Sequence, residues 1–285
     1  MDLTPAGVSR HGDPTSPSPS TGSRPWAIAH RGASQLFTEN TLAAVTAAVR
    51  YGVDAVKVDV RVTGDGVPVL HHDATLERVW GDPAVLADLT MAQLRRTAPE
   101  IPTLAEALAA VARSNVALLL DVGSLAAARA AVQEVEAADG AWHVTPELSG
   151  VWFCGDPQAL AWLSAEGVRA PRLLSWDRWT PVPEATVAAV APAFFNPWHR
   201  LVSPALIRDW HRRGVQVCTG TVDSAVTRRR LMRWGVDAVI SNAVEGMVAD
   251  AHREGRLFVL PHADRIGRRP GRVRSSARPP DDGER

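Results

Sequence analysis

Short apolar runs alternate with alanine-rich stretches along most of this 285-residue chain, and this alternation is the feature that most constrains its fold. The runs have the length of buried strands, whereas the stretches between them have helical spacing. Repeated strand-helix units build a parallel sheet, so we predict a single-domain α/β fold, the (β/α)8 TIM barrel, with a doubly wound sheet as the alternative. The eight predicted strands are Trp26–Ala29, Ala55–Val60, Val116–Val122, Val151–Cys154, Pro171–Ser175, Ala193–Asn196, Gln216–Thr221 and Ala238–Ser241.

A ninth apolar run, Val67–His71, does not belong to the predicted barrel. The turn-forming sequence Thr63-Gly64-Asp65-Gly66 precedes it and is too short for a parallel crossover. We therefore predict an antiparallel β-hairpin after the second strand. Helices are predicted over Leu42–Tyr51, Leu104–Ser114, Leu125–Ala138, Pro157–Glu166, Pro204–Arg213 and Ser224–Trp234.

Composition separates the two ends of the chain from this interior. Residues 1–24 are rich in Pro, Ser, Thr and Gly, and residues 265–285 combine a basic part with an acidic end. Neither segment has a periodic apolar face, so we predict two disordered tails around a barrel domain over residues 25–260.

Charge and hydropathy exclude several partners. The 31 basic and 31 acidic residues balance, which argues against a nucleic-acid partner. No apolar run reaches the roughly 18 residues of a spanning helix, and the N-terminal segment lacks the apolar core of a secretion signal. We predict a cytoplasmic protein with no stable membrane insertion, in which Cys154 and Cys218 are buried small hydrophobes.

Ionisable residues gather where the predicted strands end, which is where a barrel or a doubly wound sheet places its chemistry. The side-chain period of two puts Lys57 and Asp59 on the inner face of the second strand, where charges need partners or a ligand. Asp73 follows a histidine and is suited to fixing its tautomer. The residues at strand ends are His30, Arg31, His72, Asp73 and Asp121.

Four segments carry a resemblance to a known family: AIAHRGAS, ENTLAAVTAAVRYGVDAVKVDVRVTGDGVPVLHHDATLERVWG, IPTLAEAL and GTVDSAVTRRRLMRWGVDAVISN. In order and spacing, most of residues 26–250 resemble the glycerophosphodiester phosphodiesterase family. The resemblance implies a TIM barrel that hydrolyses a small-molecule phosphodiester to glycerol phosphate and an alcohol, and thus a place in lipid metabolism. It also implies two catalytic histidines, which match His30 and His72, and a phosphate-contacting arginine, which matches Arg31.

The resemblance further implies a divalent cation, Mg²⁺ or Ca²⁺, bound by carboxylates that match Glu39, Asp59 and Asp121. The family usually has a glutamate ligand where this chain has Lys57, its only lysine. Hard cations prefer oxygen ligands, so an ammonium here is expected to weaken their binding. Three hypotheses remain. Three carboxylates and water bind the metal, or Lys57 takes its place and contacts phosphate, or Lys57 pairs with Asp59, Glu39 or Asp121 in a buried ion-pair network.

Other departures from the family pattern are Gly123, Gly220, Asp223 and the pair Ser241-Asn242. They fall near the expected site, so the scaffold matches the family better than the site does. Two alternative functions follow. One is a catalytically silent barrel that binds a phosphorylated ligand through Arg31 and Lys57, and the other is a lyase-type reaction in which a substrate hydroxyl attacks phosphorus to give a cyclic phosphate.

Overall fold

The computed structural model describes residues 24–138 and 150–259. The predicted tails therefore lie outside the described residues, apart from Arg24, whose guanidinium donates hydrogen bonds of 2.7 and 2.8 Å to Asp54. The strands are β1 Trp26–His30, β2 Ala55–Val62, β3 Pro68–Leu70, β4 Ala117–Val122, β5 Val151–Gly155, β6 Arg172–Trp176, β7 Phe194–Pro197, β8 Gln216–Thr219 and β9 Ala238–Ser241. The helices are α1 Leu42–Arg50, α2 Glu77–Trp80, α3 Met91–Thr97, α4 Leu104–Val111, α5 Leu125–Ala137, α6 Pro157–Ala165, α7 Glu184–Val190, α8 Pro204–Arg212, α9 Ala225–Trp234 and α10 Val244–Val259.

Eight parallel strands close into a barrel, which confirms the predicted (β/α)8 fold. The order runs β1-β9-β8-β7-β6-β5-β4-β2, and β1 pairs with both β9 and β2, so this ring has no free edge. The predicted hairpin is also confirmed, because β3 pairs antiparallel with the end of β2. The paired part of the hairpin, Val60–Val62 with Pro68–Leu70, lies at the carboxyl end of β2.

The two faces of each barrel strand pack in different cores. On β2, Val56 and Val58 belong to the large core between barrel and helices, whereas Ala55 belongs to the smaller core inside the barrel. Lys57 and Asp59 share the inward face with Ala55, as the period of two predicts. The interior is thus apolar at its amino end and becomes polar toward the carboxyl end of the strand.

The segment between β3 and β4 is more extensive than the predicted hairpin. It contains α2, a 3-10 turn at Leu86–Asp88 and α3, and it has its own apolar core. The core residues are Val69, Leu76, Leu86, Leu94, Ala98 and Ile101. This small core fixes the loop that carries His72 and Asp73 against the rim of the barrel.

The six predicted helices are present, with ends that differ from the prediction by a few residues at most. Helices α2, α3, α7 and α10 were not predicted. The first three have four, seven and seven residues, too few for a periodic apolar face to identify them. In the described ranges no helix combines the length and the apolar character that crossing a membrane requires.

Candidate active site

His30 ends β1, and its ring is oriented by a residue from the far end of the chain. The Nδ1 atom lies 3.0 Å from Oδ1 of Asn242, which follows β9. The Nδ2 atom of Asn242 donates a 2.8 Å hydrogen bond to Asp223. Because a carboxylate only accepts, the amide nitrogen of Asn242 must face Asp223 and its oxygen must face His30. Neutral His30 therefore carries its proton on Nδ1 and a lone pair on Nε2.

Asp223 remains ionised in this arrangement. Burial opposes the charge, but hydrogen bonds from Asn242 and Ser241 outweigh it and lower the pKa of the Asp223 carboxyl below its ordinary value. The hydroxyl of Ser241 donates at 3.0 Å and the backbone N–H of Asn242 at 2.8 Å. A charged Asp223 is what fixes the orientation of the amide.

The surroundings of His30 disfavour its protonated form. Burial, followed by the positive charges of Lys57 and Arg31, lowers the pKa of His30 from 6.5 to about 4. The imidazole is therefore neutral at pH 7. A neutral ring with a free Nε2 lone pair is suited to accept a proton.

A pH series of unfolding measurements is expected to reveal this burial. Between pH 6.5 and 4 the unfolded chain binds a proton at His30 that the folded chain does not, so stability falls as the pH falls. The pKa difference corresponds to about 3 kcal/mol at pH 4. We expect denaturant unfolding of His30→Asn to lose about that much less stability than the wild type between pH 7 and pH 4. Parallel curves for the two proteins would contradict the lowered pKa.

Lys57 lies between two carboxylates inside the barrel. Its Nζ atom is 3.0 Å from Oδ1 of Asp59 and 2.6 Å from Oδ2 of Asp121. Strand register explains the meeting, because Asp59 on β2 is the direct neighbour of Asp121 on β4. Burial by itself lowers the pKa of Lys57, but the carboxylates of Asp121 and Asp59 outweigh it and raise that pKa above its ordinary value. The ammonium is charged throughout the physiological range.

Arg31 and Glu39 extend this network toward the surface. Arg31 has a left-handed backbone (φ 62°), a conformation that non-glycine residues adopt rarely and that often marks functional sites. Its Nη1 atom donates a 2.9 Å hydrogen bond to Glu39, and its Nε atom lies 2.9 Å from Oδ2 of Asp59. Asn40 fixes that aspartate, since its amide donates to Oδ2 at 2.9 Å and accepts from the Asp59 backbone at 3.1 Å.

His72 lies on the loop after β3 and is paired with its neighbour. Its Nδ1 atom is 2.6 Å from Oδ1 of Asp73, and its side chain is 45% exposed. Arg78 of α2 donates to the other oxygen of Asp73 and also to Glu39, at 2.6 Å. Glu39 therefore accepts both from Arg31, which follows His30, and from Arg78, which fixes the partner of His72.

A cavity of about 350 Å³ opens beside His72, between the ends of β2 and β4 and the small core of the segment between β3 and β4, and His30, Arg31 and Lys57 do not line it. Asp59, His72 and Asp121 contribute to its polar side. Its apolar side includes Val85, Leu86 and Ala127. A small molecule with both polar and apolar parts is the kind of ligand that such a mixed lining accommodates.

Gly155, at the end of β5, leaves the space in which the Asp121 carboxylate lies. A Cβ atom at this position would be 2.6 Å from Oδ1 of Asp121 and 2.5 Å from the backbone oxygen of Val122, and φ is 117°. We expect Gly155→Ala to destabilise the protein by about 2 kcal/mol or more through crowding and backbone strain. Thermal unfolding tests this, with Gly123→Ala as control, because nothing lies within 4 Å of a Cβ at Gly123. Equal melting temperatures for the two variants would contradict the crowding.

The sequence that forms this site also matches a known protein family. The sequence profile of the glycerophosphoryl diester phosphodiesterase family matches residues 30–246. The chain belongs to this family. The matched range begins at His30 and contains every residue of the site described above, from His30 to Asn242.

Curated members of the family cover the chain to different extents. Glycerophosphodiester phosphodiesterase 1 of Mus musculus is 41% identical over 109 residues, which are 34% of this chain and 33% of the mouse protein. The chain thus aligns with about a third of the length of the mammalian relatives that it matches. A glycerophosphodiester phosphodiesterase of Arabidopsis thaliana is 27% identical over 258 residues, covering 81% of this chain and 75% of the relative.

Solved structures confirm the fold. A phosphodiesterase from Oleispira antarctica, determined in complex with the product sn-glycerol-3-phosphate, has a TM-score of 0.69 and 23% sequence identity to this chain. The likeness covers 80% of this chain and 96% of the other. At this identity it shows that the family's barrel is shared.

The family resemblance implies a divalent cation, but the predicted ligands do not fit one in this arrangement. A side-chain cation already lies within 3.0 Å of each: Arg31 at Glu39, and Lys57 at both Asp59 and Asp121. Across residues 24–138 and 150–259, no three His, Cys, Asp or Glu side chains are grouped so as to bind a metal ion. The assignment of these carboxylates as metal ligands stays a prediction.

Four residues of the site were not identified as such from the sequence: Asn40, Arg78, Asp223 and Asn242. Asn40 follows Glu39 in the Glu-Asn-Thr motif, and that adjacency was the one available signal. Asp223 and Asn242 stood out only as departures from the family pattern. The structure brings them to His30 because the first and last barrel strands are neighbours.

Proposed function

We propose that this chain hydrolyses glycerophosphodiesters to glycerol phosphate and an alcohol by general acid-base catalysis. Family membership supports the reaction class. The observation that carries the proposal is the similar hydrogen-bond arrangement of the two histidines. Each has an acceptor at Nδ1, from Asn242 and Asp73 respectively, and in the described part of the chain neither Nε2 atom has a hydrogen-bond partner.

In this proposal His30 is the general base. Its neutral ring, with the proton on Nδ1, directs the Nε2 lone pair at an attacking water. The water oxygen forms a bond to phosphorus while its proton passes to Nε2. The imidazolium that forms is disfavoured by burial and by the nearby Lys57 and Arg31, so it returns the proton readily once the reaction is over.

His72 is the general acid. As the bond between phosphorus and the alcohol oxygen breaks, the imidazolium of His72 gives its Nε2 proton to the leaving oxygen. Asp73 accepts from Nδ1 at 2.6 Å, which fixes the ring and leaves Nε2 available to donate. Exchange with solvent then resets both rings, and the exposed position of His72 permits that exchange.

Arg31 supplies positive charge for the phosphate. A guanidinium has five N–H donors, and Glu39 and Asp59 engage only some of them. The remaining donors suit the non-bridging oxygens, where charge is greatest as water attacks. Ion pairs with two carboxylates hold the guanidinium in place, so little reorganisation is needed when substrate binds.

Phosphorus NMR of a reaction mixture tests the proposal, because it separates phosphodiester, phosphomonoester and cyclic phosphate. The full-length protein is incubated with glycerophosphocholine, glycerophosphoethanolamine and glycerophosphoinositol. We expect a phosphomonoester product, and we expect His72→Ala to reduce its rate strongly. His211→Ala is the matched control, because His211 is also paired with an aspartate, Asp237 at 2.7 Å, but at the opposite end of the barrel.

Each other outcome selects a different function. A cyclic phosphate product would replace hydrolysis with the lyase-type reaction. Binding of sn-glycerol 3-phosphate without turnover of any diester would replace it with the catalytically silent barrel. Equal activity of His72→Ala and His211→Ala would remove His72 from the mechanism.

A further inference from the structure

The single lysine of this chain lies between two carboxylates of the candidate site, those of Asp59 and Asp121. The chain has 31 lysine and arginine residues, and all of them except Lys57 are arginines. Lys57 is buried, 9% exposed, and Asp59 and Asp121 contact its ammonium from two neighbouring strands. An isolated charge at this depth is costly, so its position is determined by these partners.

The ammonium has one donor more than the carboxylates use. Lys57 carries three N–H groups, and the contacts with Asp59 and Asp121 account for two of them. His30 is the register neighbour of Lys57 on β1, and the charge of Lys57 acts on the His30 ring, so the ammonium lies near the proposed base. A phosphate oxygen beside His30 would therefore find a fixed positive charge.

A divalent cation would have to compete with this arrangement. For a cation to bind, Lys57 would have to leave both carboxylates. Among the described residues, the barrel interior below it offers the ammonium no polar partner, because it is formed by apolar residues that include Ala55, Leu119 and Cys154. Hydrated Mg²⁺ also dehydrates reluctantly and demands near-octahedral oxygen ligands, which an ammonium cannot provide. The Lys57 ammonium is therefore favoured over a divalent cation as the partner of these two carboxylates.

We propose that the Lys57 ammonium takes the position of a catalytic divalent cation, so that this chain binds a phosphate ester and acts on it without a metal. The proposal rests on the proposed function for its catalytic part. Its binding part is independent, because a phosphomonoester or inorganic phosphate would contact the same ammonium. A point charge cannot coordinate water, so activation of the nucleophile falls to His30 alone.

The first arm of the test measures metal binding by the full-length protein after treatment with EDTA and dialysis. Calorimetric titration with Mg²⁺, Ca²⁺ or Mn²⁺ is expected to show no binding at millimolar concentration. Because the chain has one lysine, ¹⁵N-lysine labelling gives a single side-chain ammonium signal, which is expected to stay unchanged as each ion is added. Binding of an ion accompanied by a shift of that signal would overturn the proposal.

The second arm measures phosphate binding in the presence of EDTA, with sn-glycerol 3-phosphate and with inorganic phosphate as probes. We expect the ammonium signal to shift on binding, and Lys57→Gln to weaken affinity roughly 10-fold or more, the effect of one charge-assisted hydrogen bond. Lys57→Arg keeps the charge and is expected to retain most of the affinity. Arg50→Gln, which removes an exposed charge at the amino end of the barrel, is the control and should bind like the wild type.

The third arm separates failure of this proposal from failure of the proposed function. Turnover of a glycerophosphodiester that persists within about twofold in EDTA supports both. Turnover that appears only with a divalent cation keeps the proposed function and overturns the role of Lys57. If no diester is hydrolysed under any condition, the proposed function fails, and the first two arms still decide whether Lys57 replaces the metal.

Discussion

Replacing His30 with alanine is expected to lower kcat by about 10²–10⁴-fold, the usual contribution of a positioned acid-base group. The loss is expected near the upper end of that range because Lys57 cannot coordinate the attacking water. The side chains of Asn242 and Asp223 remain in the variant, so the fold should be retained. Steady-state hydrolysis of a glycerophosphodiester, measured beside His211→Ala as the matched histidine control, tests the expectation.

The pH dependence of the wild-type enzyme gives this prediction a second readout. Because the pKa of His30 is about 4, the base is already deprotonated at pH 5, and the acidic limb of kcat/KM is expected near pH 4. Lys57 contributes to that lowered pKa, so Lys57→Gln is expected to move the acidic limb to higher pH. Retention of more than about a tenth of kcat in His30→Ala, or an acidic limb near pH 6.5 in the wild type, would exclude His30 as the buried base.

The fold was predictable because each barrel strand is buried on both faces and therefore stands out as a short apolar run. The inward direction of Lys57 and Asp59 followed from the period of two alone. Periodicity gave no comparable signal for α2 and α3, whose few residues pack on a separate small core. Arg78 was missed for that reason, since it reaches Glu39 across 39 positions only after the segment between β3 and β4 has folded.

The contacts between residues at the carboxyl ends of the first and the last barrel strands could not be predicted from the sequence. Asn242 lies 212 positions from His30, and the two meet because β1 pairs with β9. Sequence inspection identified the carboxylates and the unusual lysine but could not say whether the ammonium lies among them. Strand register decides this, because it places Asp121 beside Asp59 and both within reach of Lys57.

The arrangement around Lys57 leads to the second large prediction, that Lys57→Glu makes stability dependent on divalent cations. The substitution removes the ammonium from Asp59 and Asp121 and adds a third carboxylate beside them. Uncompensated buried charge of this kind costs about 3–5 kcal/mol, so the melting temperature in EDTA is expected to fall by roughly 10 °C. Three neighbouring carboxylates are also suitable oxygen ligands for Mg²⁺ or Ca²⁺.

Addition of either ion is therefore expected to raise the melting temperature of Lys57→Glu, because a ligand that binds only the folded state stabilises it by about 2.7 kcal/mol at 100 times its Kd. Lys57→Gln is the matched control: it also loses the ammonium but gains no ligand, so it should be destabilised and not rescued. The wild type should not respond, since Lys57 already neutralises the same carboxylates. Thermal unfolding of the three proteins with EDTA, Mg²⁺ or Ca²⁺ measures this, and a wild type that the ions stabilise as much as Lys57→Glu would show that its carboxylates bind metal despite the lysine.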